Sequence, residues 1–368
     1  MRGLYVHIPF CVKKCKYCDF NSFCGSEQDK KAYLDALFCE MDRYAGEKCD
    51  TVFIGGGTPT SLSAEEMQLL LKKINSTFDL SDKTEFTVEA NPKTVDKHKL
   101  QTMLKYGVNR ISFGIQSFCD GELSAIGRIH SAADAEQSFY LARDAGFKNI
   151  SIDLMLAIPN QTPDSLAENI RIAAELSPEH ISCYSLILEG NTPLYDEYRR
   201  GIVTLPDDDM QREMYDLAVS RLAENGYRRY EISNFSKPGA ESRHNIKYWQ
   251  CREYIGVGLS AHSYMDGVRF SNTDSFSSYI KRDFESGERN VLSDNDRMSE
   301  FMFMGLRMSE GISENEFFRR FGTDIYEIFG KPLLKFIKMG MLKEENGRIF
   351  LTDNAVEVSN QIMCEFIL

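Results

Sequence analysis

Short apolar runs alternate with longer segments of helical period along the first two thirds of the chain. LYVHI (4–8) reads as a strand, and DTVFIGGGTPT (50–60) as an apolar strand that ends in three glycines. SAEEMQLLLKKINSTF follows with apolar residues three and four apart. Ser63 is placed to cap that helix, and Glu66 three residues on completes a capping box. Strands are then predicted over 84–92, 109–117, 149–159, 180–190 and 228–233, with helices over 96–106, 132–145, 163–176 and 207–225 between them. Strict alternation at roughly 30 to 40 residues per unit predicts a parallel sheet with crossover helices. Strands that open on β-branched residues and end on polar ones fit a partial (β/α) barrel of the TIM type, with its site at the C-terminal strand ends. A doubly wound open sheet is the alternative, and the repeating unit alone does not decide between them.

The alternation stops after about residue 290. DRMSEFMFMGLRMSE, ENEFFRRFG and DIYEIFGKPLLKFIKMGML read as helices, and LKEENGRIFLT has an Asn-Gly turn between two short strands. Helices followed by a small hairpin predict a winged-helix-like α+β module. The expected division is a barrel over 1–235, a barrel extension over 236–290 and the C-terminal module over 291–368. Winged helices often bind DNA, but the formal net charge of −12 and a pI near 5.2 argue against nucleic acid and anionic membranes as partners. The methionine and phenylalanine spacing is better explained as core, and the module as a cap over the barrel mouth or a contact surface for a partner. Hydrophobic residues at 42% and charged residues at 27% allow a substantial core. No apolar run reaches the ~20 residues a bilayer needs. MRGLYVHIPF lacks the plan of a signal peptide, so the expected location is the cytoplasm.

Three of the ten cysteines change the picture. Cys11, Cys15 and Cys18 stand in CVKKCKYC with the spacing C-x3-C-x2-C. The other seven, Cys24, Cys39, Cys49, Cys119, Cys183, Cys251 and Cys364, are scattered, and most of them read as small buried hydrophobes in a reducing compartment. A disulfide within the cluster would leave one thiol over. A structural zinc site wants four ligands, usually in paired clusters, and no second pair is present. A [4Fe–4S] cluster fits better: three cysteines hold three irons and leave the fourth open. A small molecule with an amine and a carboxylate could chelate that iron, which points to S-adenosylmethionine (SAM). The expected strand ends add Glu89, Gln116 and Asp153, with Arg128 in the loop after Gln116. Each alone would pass as a solvated loop residue. Their shared placement makes them a candidate site.

C-x3-C-x2-C, with an aromatic before the last cysteine, resembles the signature of the radical SAM superfamily. YVHIPFC, GGGTPT, VEANP, SFGIQSF, GR-x-H and IDL resemble, in order, the oxygen-independent coproporphyrinogen III oxidase family and its relatives, the haem chaperone HemW group. The resemblance implies SAM contacts at Tyr5, Tyr17, Gly56, Gly57, Thr58, Glu89, Gln116, Arg128 and Asp153. It also implies one-electron reduction of the SAM sulfonium by the cluster. Two departures stand out. The oxidases carry a fourth cysteine two residues after the third, where this chain has Phe20, as the chaperone group does. A Tyr-Gly pair usual in the family is replaced by Leu156-Ala157. RHNIKYW (243–249) resembles the H-N-x-x-Y-W motif of the chaperone group and implies haem contacts at His244, Asn245, Tyr248 and Trp249. His244 is an axial-ligand candidate, with Cys251 and His262 as rivals. From residue chemistry alone, a buried aromatic cluster around a hydrogen-bonded histidine is the simpler reading. The resemblance favours a cluster- and SAM-containing protein that carries haem to an acceptor, including one at a membrane surface. The alternative is an enzyme that decarboxylates coproporphyrinogen III. Oligomeric state stays open.

Overall fold

In the computed structural model, which describes residues 1–285 and 287–368, six strands run parallel in the order of the chain. They are β1 (Arg2–Ile8), β2 (Lys48–Gly56), β3 (Asp79–Ala90), β4 (Arg110–Gln116), β5 (Ile150–Leu156) and β6 (His180–Ser185). The helices α1 (Glu27–Met41), α2 (Ala64–Thr77), α3 (Lys97–Lys105), α4 (Asp120–Ala125), α5 (Ala132–Ala145) and α6 (Pro163–Leu176) make the crossovers. A doubly wound sheet reverses direction at a switch point. Here each strand pairs with the next in one direction, β1 to β6, which is the winding of a barrel. The sheet does not close on itself among the described residues. The capping box predicted for α2 is present: the Glu66 amide donates to Ser63 Oγ at 3.1 Å, and the Ser63 amide to Glu66 Oε2 at 2.7 Å.

After β6 come α7 (Pro193–Arg199) and α8 (Asp208–Glu224), and the alternation then breaks. The strand expected over 228–233 is shorter, β7 (Arg228–Glu231). It turns back at once into β8 (Asn234–Ser236), and it is β8 that pairs with β6, antiparallel. The buried Glu231 carboxylate sets this turn by accepting the Ser233 amide at 2.9 Å. The strand expected over 180–190 also ends early, at Ser185, so that 186–190 forms a loop over the barrel mouth. On the other side β9 (Tyr254–Val257) pairs parallel with β1. It is extended antiparallel by β10 (His262–Met265), β11 (Val268–Ser271) and β12 (Arg289–Val291). Between β8 and β9 lies α9 (Arg243–Trp249), and α10 (Phe276–Tyr279) precedes β12.

The C-terminal chain forms α11 (Asp294–Gly305), β13 (Ile312–Ser313), α12 (Glu314–Phe321), α13 (Ile325–Lys338), β14 (Leu342–Glu345), β15 (Arg348–Leu351) and α14 (Ser359–Cys364). Helix, strand, two helices and a hairpin, with sheet order β13-β15-β14, make the winged-helix arrangement. Its core, around Met302, Phe317, Phe329, Leu333 and Phe366, is separate from the core under the large sheet. The methionine and phenylalanine stripes of this segment are therefore packing. No helix among the described residues is long and apolar enough to cross a membrane.

Candidate functional site

The loop between β1 and α1 carries the three clustered cysteines, and the backbone holds it in place. The Cys11 amide donates to Phe23 O at 2.9 Å, the Phe23 amide to Pro9 O at 2.8 Å and the Lys16 amide to Ile126 O at 3.0 Å. Phe10 anchors the base, buried edge-on against Phe23 and Tyr33. The Gly57 and Thr58 amides donate to Ile8 O and Phe10 O, both at 2.8 Å, which ties the glycine loop after β2 to the cysteine loop. A Cβ on Gly57 would sit 2.9 Å from Phe10 O and 3.0 Å from Cys11 Sγ, so this close approach requires glycine. Gly56 has φ +114°, and a Cβ there would strike the His7 ring. The GGGTP segment is thus more than a tight turn.

All three thiols are half-buried and line one cavity of about 550 Å³ that runs from the cysteine loop into the barrel. Its size falls in the usual range for small-molecule sites. Tyr17, Gly56, Gly57, Thr58, Glu89, Gln116, Arg128 and Asp153 line it too, so eight of the nine residues expected around SAM converge. Tyr5 is the exception. It lies beside the cavity, its hydroxyl 3.0 Å from His7 Nδ1 and its ring stacked on Phe53, which does line the cavity. Arg128 Nη1 donates to Cys15 Sγ at 3.4 Å, and Nη2 to Asn91 Oδ1 at 2.6 Å and to Gly114 O. Its Nε is buried without a partner. Asn91 in turn donates to Thr58 Oγ1 at 2.7 Å, and Thr58 Oγ1 to Cys11 Sγ at 3.6 Å. Asn91 therefore couples the arginine to the glycine loop. It stands inside the VEANP segment, where nothing local sets it apart from its neighbours. Tyr184, at the end of β6, was missed as well; its hydroxyl donates to Gln116 Oε1 at 3.0 Å. Gln116 itself sits at φ +73°, a strained conformation of the kind that clusters at functional sites. Ala157, where the family usually has glycine, takes φ +59°. A left-handed φ of this kind is one that an alanine takes only at a cost.

Burial, reinforced by the negative charge of Asp153, pushes the Glu89 carboxyl up to about 8, although the Gly56 amide donates to it at 3.2 Å. Burial raises Asp153 as well. Glu89 therefore keeps its proton at neutral pH and offers both a donor and an acceptor. Its folded value lies above the ordinary 4.5, so its contribution to stability is complete below that value and is lost as pH rises through about 8. Between about pH 5 and about pH 9, the urea midpoint of Glu89→Gln should therefore fall less than that of the parent. Parallel curves would mean that the carboxyl is already ionised near its ordinary value.

RHNIKYW lies elsewhere, on α9, under the starts of β1 to β3. The Arg243 and His244 amides both donate to the Glu85 carboxylate at 2.9 Å. His244 is 1% exposed, with Nδ1 2.9 Å from Thr51 Oγ1 and Nε2 2.9 Å from the Tyr248 hydroxyl. Burial holds it neutral, its pKa down to about 3. Tyr248 packs edge-on against Tyr254, and the Arg307 guanidinium covers the Trp249 ring at 4.4 Å. Of the four motif residues only Asn245 reaches the cavity, from its floor. The Cys251 thiol is half-buried; His262 is exposed on β10.

Among the described residues, no three His, Cys, Asp or Glu side chains are gathered closely enough for a single metal ion. A four-iron cube holds its thiolates farther apart than one ion does. Three thiols facing a cavity, a glycine with no room for a side chain beside one of them, and a buried unpartnered guanidinium nitrogen fit an open-site cluster with a carboxylate-bearing ligand.

Comparison with known proteins agrees. The Radical SAM superfamily domain matches residues 5–173, and the HemN C-terminal domain matches residues 292–358. Heme chaperone HemW of Bacillus subtilis (strain 168) is 38% identical, over 100% of this chain and 99% of the relative. Heme chaperone HemW of Lactococcus lactis subsp. lactis is also 38% identical, over 99% and 97%. The solved coproporphyrinogen III oxidase (HemN) from Escherichia coli, a radical SAM enzyme, superposes with a TM-score of 0.86 at 23% identity, over 99% of this chain and 89% of that one. That likeness carries the fold.

Proposed function

Because this chain belongs to the HemW haem chaperone family of radical SAM proteins, we propose that it binds haem and delivers it to an acceptor protein in the cytoplasm, with an open-site [4Fe–4S] cluster and SAM as resident cofactors. The observation that carries this reading is the end-to-end likeness to the chaperones, barrel and C-terminal module together. Phe20 supports it. Where the oxidases have a fourth cysteine, an exposed phenyl lines the mouth of the cavity, and exposed Ile187 lines it too. Such a rim is the kind of surface a porphyrin face covers.

Cys11, Cys15 and Cys18 would hold the cluster. The backbone of Gly56, Gly57 and Thr58 would meet the amine of SAM, and Arg128 its carboxylate in a forked pair. Glu89, Gln116 and Asp153 are left for ribose hydroxyls and nearby donors. When bound, the cluster supplies a single electron to the sulfonium. The protein's part is to hold SAM rigidly through the chain Arg128–Asn91–Thr58–Cys11 and to keep the donors of the lumen away from bulk water.

RHNIKYW fits the floor of the barrel better than an iron ligand, because both nitrogens of His244 are engaged there. The test is a haem titration of anaerobic, cluster-reconstituted protein with SAM, followed by transfer to an apo-haem protein. Coproporphyrinogen III is assayed in parallel. One-to-one haem binding and transfer without protoporphyrinogen formation is the expected result. His244→Phe should keep the haem spectrum. Turnover of coproporphyrinogen III would replace the chaperone reading with the oxidase, and loss of the haem spectrum in a folded His244→Phe would return the histidine to the iron.

A further inference from the structure

The barrel floor and the C-terminal module meet around a second cavity, outside the lumen, of about 220 Å³. Arginines reach it from both sides. Arg252 follows α9, Arg319 and Arg320 stand in the last turn of α12, and Arg348 opens β15. Two carboxylates share the cavity with these four guanidinium groups. Glu316 serves three of them: Oε1 accepts Arg252 Nη2 at 3.2 Å and Arg320 Nε at 2.8 Å, and Oε2 accepts Arg319 Nη2. Glu310 pairs with Arg348 at 3.2 Å. Four positive charges against two negative ones leave an excess of two, in a chain whose net charge is −12. Guanidinium groups held together on one carboxylate repel one another, and a further anion among them relieves that repulsion.

Trp249, the last residue of α9, lines the same cavity. Its indole N–H is buried and has no hydrogen-bond partner among the described residues. Such donors are seldom left unpaired, because they give up water without a replacement. The Arg307 guanidinium covers the ring at 4.4 Å and holds it in place. Arg320 is fixed as well, its Nη1 donating to Gln250 O at 2.9 Å. Arg252 and Arg319 are more exposed, and exposed ion pairs such as theirs to Glu316 are weak enough to rearrange around a ligand.

Size and shape select the anion. The cavity is smaller than the ~300 Å³ at which sites for larger organic ligands begin, so it suits a small group rather than a whole cofactor. Its donors come from α9, α12 and β15, and so from several directions. A carboxylate offers two oxygens in one plane. A tetrahedral phosphate offers acceptors on every side, and the forked N–H pairs of arginine match them. We propose that this junction is a binding site for a phosphate group, held by Arg252, Arg319, Arg320, Arg348 and the Trp249 indole N–H, and that the bound group fastens the C-terminal module to the barrel floor. The site is independent of the SAM site and of the haem reading.

Trp249 is the single tryptophan of the chain, so its fluorescence reads this site alone. Full-length, cluster-reconstituted protein is titrated with inorganic phosphate at constant ionic strength, and calorimetry gives the affinity of each variant. A saturable fluorescence change that acetate does not produce is expected. Arg252→Gln, on the barrel side, and Arg348→Gln, on the module side, should each weaken phosphate at least fivefold and leave SAM affinity unchanged. Glu316→Gln should act in the opposite sense and tighten phosphate several-fold, because it removes the carboxylate that competes for three guanidinium groups. A purely structural arginine cluster would not give that reversal. Trp249→Phe keeps an aromatic ring under Arg307 but loses the N–H, and calorimetry should find weaker binding. These variants probe different elements, so those that fold decide the matter if one does not. Glycerol 3-phosphate is the second probe: binding at least as tight as inorganic phosphate would assign the site to a phosphate ester, and weaker binding to the free ion. No saturable change with either probe, acetate binding as well as phosphate, equal affinity in the arginine variants, or weaker binding in a folded Glu316→Gln would overturn the inference.

Discussion

Cys15→Ala should yield a folded chain that no longer assembles its cluster. Iron and sulfide should drop from about four each per chain to below one, and the signal of the reduced cluster should vanish. The fold should survive because backbone bonds, not thiols, hold the loop: Cys11 to Phe23, Phe23 to Pro9 and Lys16 to Ile126. The cluster should not survive, because three thiols line the cavity and no fourth cysteine does. Cys24→Ala is the matching control. Cys24 is exposed, its thiol turned to Val12 O at 3.4 Å and absent from the cavity wall. It should keep a full complement of iron and sulfide. A full cluster in Cys15→Ala, or an empty site in Cys24→Ala, would show that a different set of thiols holds the metal.

Arg128→Met should lower SAM affinity by roughly 10- to 100-fold, since hydrogen bonds to charged groups are worth about 1.5–3 kcal/mol and each 1.4 kcal/mol is tenfold. The guanidinium reaches Cys15 Sγ, Asn91 Oδ1 and Gly114 O from one side chain, and its buried Nε is still without a partner. Methionine fills much of the volume but leaves Asn91 and Gly114 without their donor. Arg128→Lys should recover only part of the loss, because a point charge cannot bridge three acceptors at once. Isothermal titration of the reconstituted protein measures both variants, with iron content as the control. SAM affinity within about twofold of the parent in Arg128→Met would remove the arginine from the SAM site.

Much of the barrel is legible in the chain because its signals are local. Parallel strands buried on both faces read as apolar runs, and Ser63 with Glu66 marks a helix start. The cysteine spacing is a property of one loop. Elements that escape the pattern do so for physical reasons. In α1 the buried face includes Glu40, whose carboxylate takes the Gly258 amide at 2.9 Å and the Asn272 amide at 2.6 Å, and a charge in the stripe blurs the helical period. The strands β8 to β12 are each three or four residues long and are stabilised by neighbours distant in sequence. The end of β7 depends on the buried Glu231, which no local pattern shows.

The same division runs through the site. Local sequence determined the three thiols, the glycine loop and the polar strand ends, because each is set within a few residues by the chemistry it must perform. Only the tertiary structure decided how they combine. It joined Asn91 to Arg128 across the ends of two strands. It sent the chemically attractive RHNIKYW to the floor, where Thr51 and Tyr248 occupy both nitrogens of His244. It also set the buried Arg110 guanidinium in the lumen within the fields of Glu89 and Asp153. Residue type sets what a side chain can bond to, but whether a partner is within reach depends on strands and helices far apart in the chain.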